Sequence, residues 1–269
     1  MSNDPGPVVV NPWRQLRQYT SARIALGRSG TSLPTKPHLE FQLAHARARN
    51  AVHHALNVAA LQTALQPLGQ DVVVLHSAAE DRRVYLQRPD KGRQLNETAR
   101  EELKRRPRPA EPCDVVFVIG DGLSALAIEE NAALFLKTML PAMRATGWRV
   151  GPIAVVREAR VAVGDEVGEL LGAGMVVVLI GERPGLSSPD SMGIYMTLKP
   201  GGGLTDESRN CISNVRPEGL SYEHAAHKLL YLMTEAKKRG HSGVLLKDEA
   251  EALPHAVFES GKSFLIATE

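Results

Sequence analysis

The chain lacks most of what would build a metal, disulfide or membrane protein. Its 269 residues include only two cysteines, Cys113 and Cys211, far apart and in no CxxC spacing. That excludes a zinc ribbon or a disulfide framework and fits a reducing cytosol. Aromatic residues make up 4% of the chain, so a core has to be assembled from Leu, Val, Ile and Ala. No apolar run reaches the roughly eighteen residues of a membrane span, and no signal-peptide pattern is visible. The expectation is a soluble, cytoplasmic protein without a membrane partner. Neither sign of charge is in excess: 32 basic residues face 30 acidic ones, for a net charge of +2, which argues against a nucleic-acid partner. The basic runs Lys104-Arg105-Arg106 and Lys237-Lys238-Arg239 read as solvated helix ends, where the helix dipole favours cations. His53 and His54 are the only adjacent histidines, and neighbouring positions on a helix diverge too far to share a metal.

Periodicity divides what is present into three stretches. Residues 1–12, with early prolines and a glycine, read as a flexible tail. Residues 13–107 read as a smaller, mainly helical region: an amphipathic helix over 35–56 opens at Thr35-Lys-Pro, and a charged helix spans 96–106. Asp71 to His76 and Val84-Tyr85-Leu86 read as short strands. Three prolines at 107, 109 and 112 then mark a boundary, because they disfavour helix and exclude a central strand. Beyond it, 108–269 reads as a Rossmann-like α/β domain. Apolar strands at 115–119, 150–156, 175–180 and 194–198 alternate with helices at 125–146, 161–171 and 222–239, the pattern of a parallel sheet covered on both faces. The tail from 249 to 269 carries no functional signal.

The polar signals lie where strands end. The run Val176 to Ile180 stops at Gly181-Glu-Arg-Pro-Gly185 and opens into residues rich in Gly, Ser, Asp and Asn up to Gly219. A long loop at the carboxyl end of a buried strand is where open sheets bind ligands. Gly120-Asp121-Gly122-Leu-Ser124 stands between a strand and a helix, the place of a dinucleotide phosphate loop. It is not GxGxxG, however, and Asp121 would repel a phosphate. Asp121 or Ser124 is either a helix cap or part of a polar loop over a ligand. Glu182 follows its strand directly, either to hold the turn with Arg183 or to meet a ligand. Cys211 has no adjacent base to make it a nucleophile. The loops around Arg28 and from Arg88 to Arg93 are surface turns or interface elements. Nowhere is there a nucleophile–base pair, metal cluster or carboxylate dyad, so no catalytic residue and no metal ligand is assigned.

Five stretches carry a family resemblance: LRQYTSARIALGRSG at 16–30, VYLQRPDKGRQL at 84–95, VFVIGDGLSALAI at 116–128, LIGERPGL at 179–186 and RNCISNVRPEGL at 209–220. In this order, within a match from Pro12 to Asp248, the chain resembles the small subunit of adenosylcobalamin-dependent ethanolamine ammonia-lyase. The resemblance implies a subunit that clamps the cofactor against a large subunit with a barrel and the substrate site, in an assembly with equal numbers of both chains. Together they would convert ethanolamine to acetaldehyde and ammonia by radical chemistry, free in the cytoplasm or inside a bacterial microcompartment. It implies that Glu182 and Cys211 contact adenosylcobalamin. Val161, in the stretch that departs most from the family, aligns with a third contact. The chain lacks the Asp-x-His-x-x-Gly signature, which agrees with a base-on cofactor and no protein ligand to cobalt. The alternative, from another class, is a self-sufficient nucleotide-dependent enzyme that uses the GDGLS loop.

Overall fold

The computed structural model describes residues 7–107 and 112–250. These form two compact units, one of residues 7–48 and one of residues 49–107 with 112–250. In the first, Asn11 caps a 3-10 helix, Pro12–Gln18, by accepting from the Trp13 N–H at 2.9 Å. Val9 and Arg28 exchange backbone hydrogen bonds at 2.7 and 3.0 Å. Of the tail expected at 1–12, residues 1–6 lie outside the described residues, and Val9 and Asn11 are tied by these bonds. Trp13 is 68% exposed. Helix α1 (Thr35–His53) begins at the expected Thr-Lys-Pro.

The second unit is a mixed α/β structure. In chain order it contains α2 (Val58–Leu65), β1 (Val72–His76), α3 (Arg82–Gln87), α4 (Glu97–Arg105), β2 (Val115–Gly120), α5 (Ala125–Ala145) and β3 (Val150–Arg157). These are followed by α6 (Val163–Leu170), β4 (Met175–Gly181), β5 (Met192–Leu198), β6 (Arg209–Val215) and α7 (Tyr222–Arg239). One six-stranded sheet has the order β1-β3-β2-β4-β5-β6. Its β1, β3, β2 and β4 are parallel, whereas β5 and β6 are antiparallel to their neighbours. The sheet is therefore mixed, not wholly parallel. The connection from Gly181 to Met192 holds no helix and is too short for the crossover that a parallel neighbour needs.

Three sequence expectations change for local reasons. Val84-Tyr85-Leu86 is helical within α3, because Asp81 caps its first turn by accepting from the Val84 N–H at 2.7 Å. The stretch before Gly219, expected as loop, holds β6, an edge strand whose outward positions are polar. The proline-rich boundary lies mostly outside the described residues, and β1, which precedes it, pairs with β3. The sheet thus crosses the expected division at 107/108.

Strands β2 and β4 are buried along their whole length, as continuous apolar runs in a doubly covered sheet should be. On one face α2, α5 and α7 pack Leu65, Phe135, Met139 and Leu229 onto Phe117, Ile119, Val177 and Ile194. On the other, Leu95, Ala99 and Leu103 in and beside α4, with Val163 and Val167 of α6, meet Val116, Val118, Val156 and Val178. On that second face β5 and β6 present Tyr195, half-buried, and Cys211 and Ser213, both exposed. Trp148 packs against the first core, with the Lys237 ammonium 4.8 Å from its ring centroid. No helix among the described residues is long and apolar enough to cross a membrane.

The start of β6 is locked by a buried ion pair. Arg209 donates through both terminal nitrogens to Asp165 of α6, at 2.6 and 2.7 Å, and to Thr197 Oγ1 at 3.1 Å. Removing one partner of such a pair strands the other charge, a loss of about 3–5 kcal/mol. Arg209→Ala is therefore expected to lower the denaturant midpoint sharply. The double replacement Arg209→Met with Asp165→Leu should recover most of the loss in the same titration.

Candidate functional site

Helix α5 leaves β2 toward one face of the sheet and α6 leaves β3 toward the other. The carboxyl ends of these adjacent strands therefore diverge into a crevice, where open α/β sheets place ligands. Here the crevice is filled by the protein itself. Asp121, 3% exposed, accepts from the backbone N–H of Glu158 and of Ala159, both at 2.9 Å. Arg82 of α3 donates to Glu158 Oε2 at 3.1 Å, to the Gly122 carbonyl at 2.8 Å and to the Val52 carbonyl at 2.7 Å. The glycines serve backbone approach. A Cβ on Gly122, whose φ is +58°, would lie 2.2 Å from the Gly181 carbonyl oxygen, and one on Gly181 would lie 2.0 Å from the Ser124 oxygen. The helix cap is Ser124, which accepts from the Ala127 N–H at 3.3 Å and donates to the Pro189 carbonyl at 2.7 Å. A phosphate at this loop would meet the Asp121 carboxylate and no room, so the geometry does not favour the nucleotide-enzyme alternative.

The open space lies beside the crevice. A cavity of 390 Å³ is lined by Pro89, Arg93, Arg160, Val161, Ala162, Tyr195 and Asp206. The turn after β3 brings Arg160 and Val161 to it, and β5 brings Tyr195. Tyr195 stands directly opposite Cys211 in the β5–β6 ladder. Burial first, then the Cys211 thiol and the Glu182 charge, push the Tyr195 phenol well above its ordinary range, so it stays a neutral O–H. Glu182 packs over Gly193, where a Cβ would come 3.0 Å from Oε1 and 3.2 Å from the edge of the Tyr195 ring. Its other oxygen, Oε2, accepts a short bond from Ser191 Oγ and one from the Asn214 N–H at 3.3 Å. Arg160 stacks on the Tyr85 ring, 4.3 Å from the centroid, and its Nε is buried without a hydrogen-bond partner.

The three residues singled out from sequence thus meet on one surface. Val161 lines the cavity with Tyr195, and Tyr195 joins Cys211 on one side to Glu182 on the other. The hydrogen-bond partners of Glu182 are Ser191 and Asn214. Tyr195, Arg160 and Ser191 went unnoticed in the sequence; the signal available for Tyr195 was an aromatic residue inside the short strand next to the Cys211 segment. The Arg88–Arg93 loop reaches the cavity through Pro89 and Arg93, while Arg88 pairs with Asp90 at 2.7 Å. Arg28 lies in the other unit. Among the described residues no cluster of His, Cys, Asp and Glu is arranged to hold a metal ion.

Four of the five resemblance stretches therefore surround the crevice and the cavity. The family of the ethanolamine ammonia-lyase light chain (EutC) matches residues 10–247. The chain belongs to this family. It is 57% identical over 265 residues to the ethanolamine ammonia-lyase small subunit of Ralstonia nicotianae, covering 97% of each chain. It is 58% identical over 250 residues to that of Azotobacter vinelandii, covering 93% of each. To the small subunit of Pseudomonas putida strain W619 it is 58% identical over 246 residues, 91% of this chain and 90% of the relative. A light chain of this family is a subunit of a lyase.

The two thiols of this light chain should differ in reactivity. Cys211 is exposed, whereas Cys113 is buried and its thiol is pushed up by burial, so its nucleophilic thiolate is scarce. Labelling of the isolated native subunit with a thiol reagent is expected to modify Cys211 alone, and denaturation should release the second. Equal rates in the native chain would contradict the placement of both.

Proposed function

We propose that this chain clamps adenosylcobalamin at the surface formed by Val161, Tyr195, Cys211 and Glu182, against a large subunit that carries the substrate site. The convergence of Glu182, Cys211 and Val161 onto one surface through Tyr195 is the observation that carries the reading. The chemistry of the donor set fits. A corrinoid is rimmed by amide groups that both donate and accept hydrogen bonds. Here Glu182 Oε1 lies over Gly193 as an acceptor, and the neutral Tyr195 phenol offers a donor. A cavity of 390 Å³ takes in only part of so large a molecule, as expected of one wall of a shared site.

When bound, adenosylcobalamin supplies the radical chemistry that turns ethanolamine into acetaldehyde and ammonia. This chain's own residues bind, orient and exclude water. Glu182 is held by Ser191 and Asn214, so its carboxylate meets an amide without first losing its side-chain freedom. Cys211 and Val161 offer small apolar contact. The cofactor is read as keeping its own lower base, with cobalt unligated by this chain. The assembly is read as equal numbers of both subunits, working in the cytoplasm or in a microcompartment there. The four parallel strands, with helices leaving adjacent strands toward opposite faces, support a Rossmann-like description.

The test is cofactor retention by the assembled enzyme. Hydrogen bonds to a charged group are worth about 1.5–3 kcal/mol, so Glu182→Ala should weaken adenosylcobalamin binding roughly ten- to a hundredfold in equilibrium dialysis. Bound cofactor should also slow thiol labelling of Cys211. Unchanged affinity together with unprotected Cys211 would remove this surface from the cofactor site.

A further inference from the structure

The group at the centre of the filled crevice does no binding of its own, yet five hydrogen bonds converge on the turn it holds. Asp121 takes the N–H groups of Glu158 and Ala159. Arg82 bonds the Glu158 carboxylate, and the Tyr85 hydroxyl donates to the Ala159 carbonyl at 3.1 Å. The Arg160 N–H bonds the Gly92 carbonyl at 2.7 Å. Glu158 is thereby kept at a φ of +53°, a left-handed conformation that a glutamate adopts at a cost and that persists only where the surroundings over-determine it. The next residues are Arg160 and Val161, which line the cavity.

We propose that Asp121 is a positioning residue for the cofactor surface: by capturing the Glu158 and Ala159 N–H groups it sets the turn so that Arg160 and Val161 face the cavity. The inference rests on the cofactor reading above. The charged and titratable groups facing Asp121 are Arg82 and Tyr85 of α3 and Glu158 of the turn. Burial first, and then the Glu158 charge, raise the Asp121 carboxyl from 3.8 to about 6. A raised acid holds its proton more tightly folded than unfolded. The stability it contributes is therefore full below about pH 3.8 and is lost as pH rises from there through about 6. The ionised carboxylate is nevertheless the better acceptor for two N–H groups. Cofactor affinity and fold stability consequently change in opposite directions with pH, which a purely structural residue would not produce.

The experiment compares Asp121→Asn with the unaltered chain, both reconstituted with the large subunit, using adenosylcobalamin in equilibrium dialysis from pH 5.5 to 8. An asparagine amide accepts only one of the two N–H groups, so a roughly tenfold loss of affinity is expected at pH 8. The unaltered complex should approach the variant's affinity as pH falls through about 6, while the variant's affinity stays flat across the range. Thermal unfolding of the subunit should show Asp121→Asn no less stable than the unaltered chain at pH 8. Equal affinity at pH 8, or a loss matched by a fall in Tm, overturns the proposal. If Asp121→Asn fails to assemble, Tyr85→Phe decides. It removes only the bond to the Ala159 carbonyl, and a roughly threefold weaker cofactor is expected; no change overturns the inference. Weakening by Glu182→Ala but not by these variants rejects the positioning role alone. No weakening by any of them rejects the cofactor reading itself.

Discussion

The sheet changes direction after β4, and the rest of the surface follows from that. Each parallel neighbour arrives by a crossover that lays a helix on one face. The connections into β5 and out to β6 bring no α-helix, only the 3-10 turn Asp206–Ser208, and α7, which follows β6, returns to the face already held by α5. Half of the opposite face is therefore left to side chains that need no helical cover: glycine at 193, the amphipathic Tyr195, and small Cys211 and Ser213. The ladder satisfies the backbone groups of both strands. What remains is a half-polar surface next to the crevice.

Beside this surface, packing gives way to polar bracing. Only two buried side-chain polar atoms among the described residues lack a partner, Arg82 Nη2 and Arg160 Nε. Both belong to guanidiniums that lie on the same ring, that of Tyr85, at 4.7 and 4.3 Å from its centroid. Unsatisfied donors normally cost enough to be rare, and here they gather at one wall. Elsewhere the buried charge of Arg209 is fully bonded. The imbalance is local, and it coincides with the turn held in a left-handed conformation.

How much of this the sequence disclosed depended on whether a signal was local. Strands β2 and β4 are unbroken apolar runs, and α7 runs from its Ser221 cap to Gly240 in the left-handed conformation, so their bounds are read directly. Strand β6 escaped notice because only Ile212 and Val215 turn apolar groups inward, while Asn210, Cys211, Ser213 and Asn214 resemble a loop. In α3 a three-residue apolar run carries no period, and the Asp81 cap decided for helix. The cofactor roles proposed for Glu182 and Cys211 came from resemblance to a family, not from chemistry visible in one chain. The work of Asp121 was hidden for a different reason: its partners lie 37 and 38 residues away along the chain, and no spacing rule links a carboxylate to backbone N–H groups of the turn after another strand.

The scarcity of aromatic residues leaves this chain with just two tryptophans, and they are divided between its compact units. Trp13 belongs to the first and is largely exposed; Trp148 belongs to the second and packs against the core beneath Lys237. The two indoles therefore sit in different solvents and should emit at different wavelengths. Replacing either one with phenylalanine leaves a single intrinsic fluorophore in a chosen unit. Unfolding of the two units can then be followed separately, with no external dye.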